Sequence, residues 1–251
     1  MYAEERHQDI ITILRARRKV SVAELSDRYS VTKATIRADL KVLEEGGLIV
    51  KTHGGALLKT QNSFELSSDT RKSINQDRKA IIGELAAGLV NDNETIIIDT
   101  GTTAACLAEH LIRKKSLTVI TNDFEVARTL EDGEDVQIIF LGGLIKNKYH
   151  CSYHSGDHSL LSTLRVDKAF MAANSFSLVA GASVADLKLA ECKRIMVRQA
   201  NEVLLLCDST KIGKTSLAQF ATPEQIDIIV TDERPEEAER YREQGISLII
   251  P

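Results

Sequence analysis

At 251 residues the chain is long enough for one or two domains with a sizeable core, and 43% apolar with 27% charged residues is a globular composition, neither disordered nor fibrous. The absence of Trp and a total of three Pro argue against proline-rich recognition segments and against aromatic stacking platforms for single strands. The net charge of −4 hides an asymmetry: residues 1 to 60 carry 11 Lys+Arg against 8 Asp+Glu, and the remainder carries 21 against 28. A small basic end on a larger acidic body is the distribution expected when one end meets a polyanion.

The opening MYAEERHQ is charged where a secretion signal would be apolar, and apolar runs such as VLLLC at 203 to 207 fall far short of a bilayer span. A cytoplasmic protein with no membrane partner is expected. From residue 3 to 58 apolar residues recur at helical spacing: Ile10, Ile13 and Leu14, then Val22, Leu25 and Tyr29, then Ile36, Leu40 and Leu43. Ser21 with Glu24 has the capping-box spacing, and Thr32 stands where an N-cap oxygen is wanted before KATIRADLKVLEE. Gly46 and Gly47 stop that third helix, after which LIVK and ALL flank the turn THGG as a short hairpin. Helix, helix, tight turn, helix and hairpin predict a winged helix-turn-helix, a DNA-binding domain over residues 1–58.

Residues 59–73, KTQNSFELSSDTRKS, are polar and Ser-rich and read as a linker. Over 74–251 short apolar runs alternate with amphipathic helical patterns: IIGELAAGLV, ETIIIDTGTT, AACLAEHLIR, LTVITN, FEVARTL, VQIIFLGG, KAFMAANS, LAECKRIMVRQA, EVLLLCDS, IDIIVTD, PEEAERYREQ and SLIIP. That alternation predicts an α/β effector-binding domain built on a mostly parallel sheet covered on both faces. Cys106, Cys151, Cys192 and Cys207 form no CxxC pair and lie in or beside apolar runs, as reduced interior thiols do.

In a helix-turn-helix the third helix buries Ile36, Leu40 and Leu43 and leaves Lys33, Thr35, Arg37 and Lys41 outward, donors suited to base edges and phosphates. Arg37 could grip guanine in bidentate fashion. Lys51 and His53 on the hairpin reach the backbone or minor groove, and Asp39 is expected to hold Arg37 or another base in place. The DNA-facing set is Ser21, Thr32, Lys33, Thr35, Arg37, Lys41, Lys51 and His53. In the body, Asp99 to Thr103 (DTGTT) close an apolar strand and open a helix, where free N–H groups and the dipole favour an anion. The same strand-end logic selects Thr121, Asn122, Gly142, Gly143, Asn174 and the DSTKIG turn with Asp208 and Lys211. Several such turns suit a small phosphorylated polyol. Without GxGxxG or GxxxxGK[ST], dinucleotide and P-loop readings lose ground.

These residues carry a resemblance. Arg6, Ile10, Leu14, Thr32, Thr35, Ile36, Arg37, Asp39 and Leu40 fall at the spacing of the DeoR-family signature, and KTHGGALL is similar to that family's wing. The body resembles the DeoR-family effector domain, whose fold is similar to ribose-5-phosphate isomerase and glucosamine-6-phosphate deaminase. Its recurring DxGTT, TN, LGG and DSSKFG motifs are matched by Asp99 to Thr103, Thr121–Asn122, Leu141 to Gly143 and Asp208 to Gly213. The resemblance implies a sugar-phosphate effector, with Lys211 as phosphate or hydroxyl partner and Gly101, Thr102 and Thr103 at the anion. Glu191 and Lys193 match the family's EAxxKRxM helix in part, with Leu189 where an acidic residue is usual. GASV at 181 to 184 and AANSF at 172 to 176 also depart from the pattern, which points to an unusual effector.

Two further expectations concern chemistry. His150, His154 and His158, with Cys151, would share one face of a helix and could bind zinc, but the Ser- and Gly-containing YHCSYHSGDHS favours a surface loop without metal. Asp99, Asp123 and Glu191 are general-base candidates by type, yet Asp99 reads as an Asx-type cap and no catalytic loop is recognisable. The expected function is thus a DNA-binding transcriptional regulator without cofactor, a repressor of a sugar-metabolism operon that a phosphorylated sugar releases from its operator. It would act as a dimer or tetramer, because two half-sites need two heads. The alternative is a sugar-phosphate isomerase or deaminase with an accessory DNA-binding domain.

Overall fold

The apolar positions at helical spacing near the N-terminus converge on one small core, which holds Ile10, Leu14, Leu25, Ile36, Leu40, Leu43 and Ile49. The computed structural model describes residues 2–17, 19–45, 48–52, 54–58, 67–153 and 159–251. It divides into two units, Met1–Thr70 and Arg71–Pro251. The first runs α1 (Ala3–Arg17), β1 (Lys19–Ser21), α2 (Val22–Tyr29), α3 (Lys33–Glu45), β2 (Ile49–Thr52) and β3 (Gly55–Leu58). The three helices and the hairpin match expectation. Strand β1 does not, being three residues long, and it makes the wing a three-stranded antiparallel sheet in the order β1-β3-β2. Gly55 explains the Gly pair of THGG further: a Cβ there would lie 1.9 Å from the Val20 carbonyl oxygen, so glycine lets β3 approach β1.

Helix α2 starts as predicted, with Ser21 Oγ accepting from the Glu24 amide at 3.1 Å. It ends at Ser30 in the left-handed conformation (φ 54°, ψ 42°). Thr32 Oγ1 then accepts from the Thr35 amide at 3.1 Å and starts α3.

The expected linker is only partly irregular. Ser68–Ser73 form α4, with Asp69 in the first turn and Arg71 and Lys72 in the last, charges that suit the helix dipole. Residues 59–66 lie outside the described residues.

The body continues with α5 (Gln76–Ala87), β4 (Thr95–Ile98), α6 (Thr102–Glu109), β5 (Leu117–Thr121), α7 (Phe124–Leu130), β6 (Val136–Phe140), β7 (Leu144–Lys146), β8 (Cys151–Tyr153), α8 (Ser159–Thr163) and β9 (Val166–Ala172). It closes with β10 (Ser175–Ser177), β11 (Gly181–Val184), α9 (Leu187–Gln199), β12 (Ala200–Leu206), β13 (Ala218–Ala221), β14 (Ile228–Val230), α10 (Ala238–Glu243) and β15 (Ser247–Ile249). Seven strands form a parallel sheet in the order β15-β14-β12-β9-β4-β5-β6. Alternate residues of each strand feed opposite layers. Ile96, Ile98, Phe170, Leu204 and Leu206 pack with α5, α6 and α7, while Ile97, Ile120, Met171, Leu205 and Ile229 pack with α9. The all-apolar strands are therefore the signature of a sheet covered twice.

Two small antiparallel sheets, β10-β11-β13 and β7-β8, were not foreseen. Strand order reverses direction at β4: the chain runs outward through β5 and β6, then returns to place β9 on the other side of β4. Such a reversal, here at the carboxyl ends of β4 and β9, is the usual ligand position in open α/β sheets.

Candidate nucleic-acid interface and ligand site

On α3, Lys33, Arg37 and Lys41 are exposed, as the spacing predicted, whereas Thr35, expected outward with them, is half-buried. The Thr32 and Thr35 hydroxyls lie 2.9 Å apart. Ser21 and Thr32 act as helix caps, and Lys51 is drawn toward α3 by Glu44, with Nζ 3.0 Å from Oε2. His53 lies outside the described residues. Of the partners expected for Asp39, Arg37 or another base, the buried carboxylate takes another base. Its Oδ2 accepts from Arg6 Nε at 2.6 Å, its Oδ1 accepts from Arg6 Nη2 at 3.0 Å, and His7 Nε2 lies 2.9 Å from Oδ1. Burial alone would raise the Asp39 pKa, but the hydrogen bonds from Arg6 and His7 outweigh it and hold the carboxyl below its usual value. The pair ties α1 to α3 and leaves the Arg37 face outward.

At the carboxyl ends of the strands, Asp99 after β4 is fully buried. It is no Asx cap. Its Oδ2 accepts from the Ala172 amide at 2.9 Å and pairs with Lys193 Nζ of α9, which also donates to the Ala172 carbonyl at 3.0 Å. Gly101 fits this close approach of β4 to β9, because a Cβ there would stand 2.8 Å from that of Ala172. The cap of α7 is Asp123: Oδ1 accepts from the Glu125 and Val126 amides, and Oδ2 from Thr100 Oγ1 at 2.6 Å and the Gly101 amide at 3.2 Å. Burial raises the Asp123 pKa against those four donors.

Thr121 Oγ1 accepts from the Asp123 amide at 3.1 Å, and Asn122 Nδ2 donates to the Ser152 carbonyl at 2.8 Å. Thr103 is buried, while Thr102 at the start of α6 is half-buried. Gly142 and Gly143 are exposed before β7, and Asn174 Oδ1 accepts from the Ala185 amide at 3.2 Å. Lys211 Nζ lies 3.3 Å from Asp208 Oδ2. Asp99, Gly101, Thr102, Thr103, Thr121, Asn122, Asn174, Lys193 and Lys211 thus share the carboxyl side of the sheet. Glu191 does not join them: it is exposed, two residues from buried Lys193 on α9, and helix residues at that spacing do not face each other. It lines a shallow cleft of about 350 Å³ with Ser162, Arg194 and Arg198.

Sequence reasoning missed several groups on this rim. Lys146 of β7 stands over the Tyr149 ring at 3.8 Å and pairs with Asp186 at 3.0 Å. Asn75, Arg78 and Lys79 reach in from the start of α5, and a lysine on a helix face otherwise read as core was the available signal. The zinc reading loses its helix, since Cys151–Tyr153 is a strand and His150 lies 3.7 Å from Glu125. His154 and His158 lie outside the described residues, and no group of three metal-ligating side chains occurs among those described.

A winged helix-turn-helix preceding a doubly covered parallel sheet with a polar strand-end rim defines a helix-turn-helix regulator with a sensor body. Two family descriptions match the chain in that order, the DeoR-like helix-turn-helix domain over residues 6–62 and the DeoR C terminal sensor domain over residues 74–233. The chain belongs to the DeoR family of transcriptional regulators. Similar relatives include the HTH-type transcriptional regulator GolR of Listeria innocua, 35% identical over 100% of this chain and 99% of its own. The transcriptional repressor GlcR of Bacillus subtilis is 34% identical over 100% and 97%. The regulator YgbI of Escherichia coli is 35% identical over 100% and 98%. Among solved structures, ribose 5-phosphate isomerase A of Methanocaldococcus jannaschii superimposes over 55% of each chain with a TM-score of 0.41 and 21% identity, too loose an overlap to bear on function.

Proposed function

We propose that this regulator is a repressor that holds operator DNA through α3 and the wing and releases it when a phosphorylated sugar or related polyol binds the strand-end rim. One observation carries the ligand half. Asp99 Oδ1 and Asn122 Oδ1, at the ends of neighbouring strands, are buried acceptors with no hydrogen-bond donor among the described residues. Buried acceptors without donors are costly, and hydroxyl groups of a polyol are donors of the matching kind. Lys211 and the first amides of α6 supply positive potential for a phosphate.

The body acts as a sensor and not as an isomerase. Of the three general-base candidates, Asp99 is engaged through Oδ2 by Lys193 and the Ala172 amide, Asp123 by four donors, and Glu191 stands on another face, which favours sensing over proton abstraction by them. Release follows from linkage: the ligand binds one arrangement of a homo-oligomer better, and that arrangement no longer spaces the heads for the two half-sites. Among the described residues no helix is long and apolar enough to cross a membrane.

The test selects duplexes from random-sequence DNA with the full chain, then screens phosphosugars by thermal shift, since a ligand of the folded state raises the melting temperature. The proposal expects a recovered operator and at least one stabilising phosphosugar, with Lys211→Ala remaining bound when that sugar is added. Failure to recover any duplex, or normal release by Lys211→Ala, contradicts it.

A further inference from the structure

The chain enters the body through α4 and the turn Ile74–Asn75, and the loops after β12 and β14 grip that turn. Asn75 occupies the N-cap position of α5 with a left-handed backbone (φ 55°, ψ 39°), yet its side chain caps nothing. Instead Nδ2 donates to Asp208 Oδ1 and to Thr210 Oγ1, each at 3.3 Å. One turn later Lys79 is buried, and its Nζ donates to the Ile74 carbonyl at 2.6 Å and to the Arg71 carbonyl, closing the exit of α4. Between them Arg78 Nη1 donates to Asp232 Oδ2 at 2.6 Å and to Ser209 Oγ. Three consecutive rim residues, Asp208, Ser209 and Thr210, therefore hold the segment that leads back toward the DNA-binding head. Asp208 also faces Lys211.

We propose that the Asn75 turn is the relay between ligand site and head: a ligand at Lys211 takes the Asp208 carboxylate from Asn75 and so frees the segment that joins body to head. This rests on the sensor reading of the rim given above. Asn75 holds Asp208 Oδ1, whereas Oδ2 is buried with no hydrogen-bond partner among the described residues. A ligand hydroxyl donating to Oδ2 turns the carboxylate away from Asn75, while a phosphate draws Lys211 away. The tied turn is then the arrangement that favours the operator, and cutting the tie mimics the ligand. Coupling of this kind shifts affinity by about 5- to 150-fold.

Asn75→Gly in the full chain isolates the amide, because glycine keeps the left-handed backbone without strain. Asn75→Asp also tolerates that backbone and sets a second carboxylate against Asp208. With no sugar phosphate present, Asn75→Gly should bind the selected operator at least about fivefold more weakly than the unmodified chain and Asn75→Asp more weakly still. Amides of residues 68 to 76 should exchange faster in both, with cooperative unfolding retained. Operator affinity equal to that of the unmodified chain in both variants overturns the relay alone. Absence of operator binding by the unmodified chain overturns the regulator reading and the relay with it. If Asn75→Gly loses cooperative unfolding, Thr210→Val removes one of the two acceptors from the other side and must weaken operator binding in the same direction, or the relay falls.

Discussion

Asp99 and Lys193 form an ion pair between the end of β4 and the middle of α9, with side chains 1% and 3% exposed. It lies at the reversal of strand order, so the segment that carries DTGTT is fixed to α9. Two charges taken this far from water depend on each other, because neither is hydrated.

Lys193→Ala should therefore destabilise the body by about 3–5 kcal/mol, since it leaves a buried carboxylate whose Oδ1 already lacks a donor. Asp99→Leu combined with Lys193→Met, which removes both charges, should regain most of that loss. Urea unfolding of the three proteins checks this. A double variant as unstable as the single one would show that the pair contributes more than mutual charge compensation. Asp99→Ala is for the same reason a poor probe of ligand binding, and Lys211, 27% exposed in its side chain, is the better one.

Arg37→Ala and Asp39→Ala separate contact from scaffold in the head. Arg37 is exposed and its loss should cost about 1–3 kcal/mol of operator affinity at one base position with stability unchanged. Loss of Asp39 takes from buried Arg6 the carboxylate that accepts from two of its nitrogens and should cost stability, by about 3–5 kcal/mol. Because its folded pKa is depressed, Asp39 contributes stability that is fully present above its ordinary value of 3.8 and is lost as pH falls through the lower folded value. An acid titration followed by operator binding and by unfolding distinguishes the two variants. Equal stability losses in both would refute the assignment.

Lys79 gives a signal at high pH. Burial, with Lys211 nearby, pushes its amine down to about 8. Between that value and the unfolded value of 10.5, the unfolded chain holds a proton that the folded chain has lost, so this residue makes stability rise with pH. Relative to Lys79→Met, the unmodified protein should gain up to about 1.4 kcal/mol per pH unit across that window and nothing from this residue below it. Parallel stability profiles for the two proteins from pH 8 to 10 would contradict the burial argument.

Gly101→Ala places a methyl 2.8 Å from the Ala172 Cβ, and neither backbone can yield without shifting β4 from β9. Overpacking of this kind costs about 1–3 kcal/mol. The thermal shift given by the stabilising phosphosugar should shrink with it. A full shift in a destabilised variant would place the ligand elsewhere.

The legible parts of the fold were those where a single period dominates. IIID, VITN and LLLC could only be strands of a sheet covered on both faces, and Ile36, Leu40 and Leu43 could only be one side of a recognition helix. Strand β1 escaped because Lys19–Ser21 is too short to show a period, and SFS, GASV and AQFA of the β10-β11-β13 sheet escaped for the same reason. In the candidate site, the strand-end positions Asp99, Thr121, Asn122 and Asn174 were legible from turn chemistry. Their partners were not, since pairs such as Asp99 with Lys193 and Asp39 with Arg6 span 94 and 33 positions and depend on how the layers meet. Asn75, Arg78 and Lys79 lay hidden at the border of a supposed linker, where a left-handed residue and a buried lysine have no period to reveal them.

The proposed regulator couples an operator to a metabolite without converting it. The direct measurement adds a phosphosugar that stabilises the protein to its fluorescent operator complex, follows anisotropy, and assays the sugar in the same mixture. The complex should dissociate in a saturable way, with the sugar recovered unchanged. A complex that stays intact at saturating sugar, or a sugar consumed as the complex dissolves, would contradict the proposal.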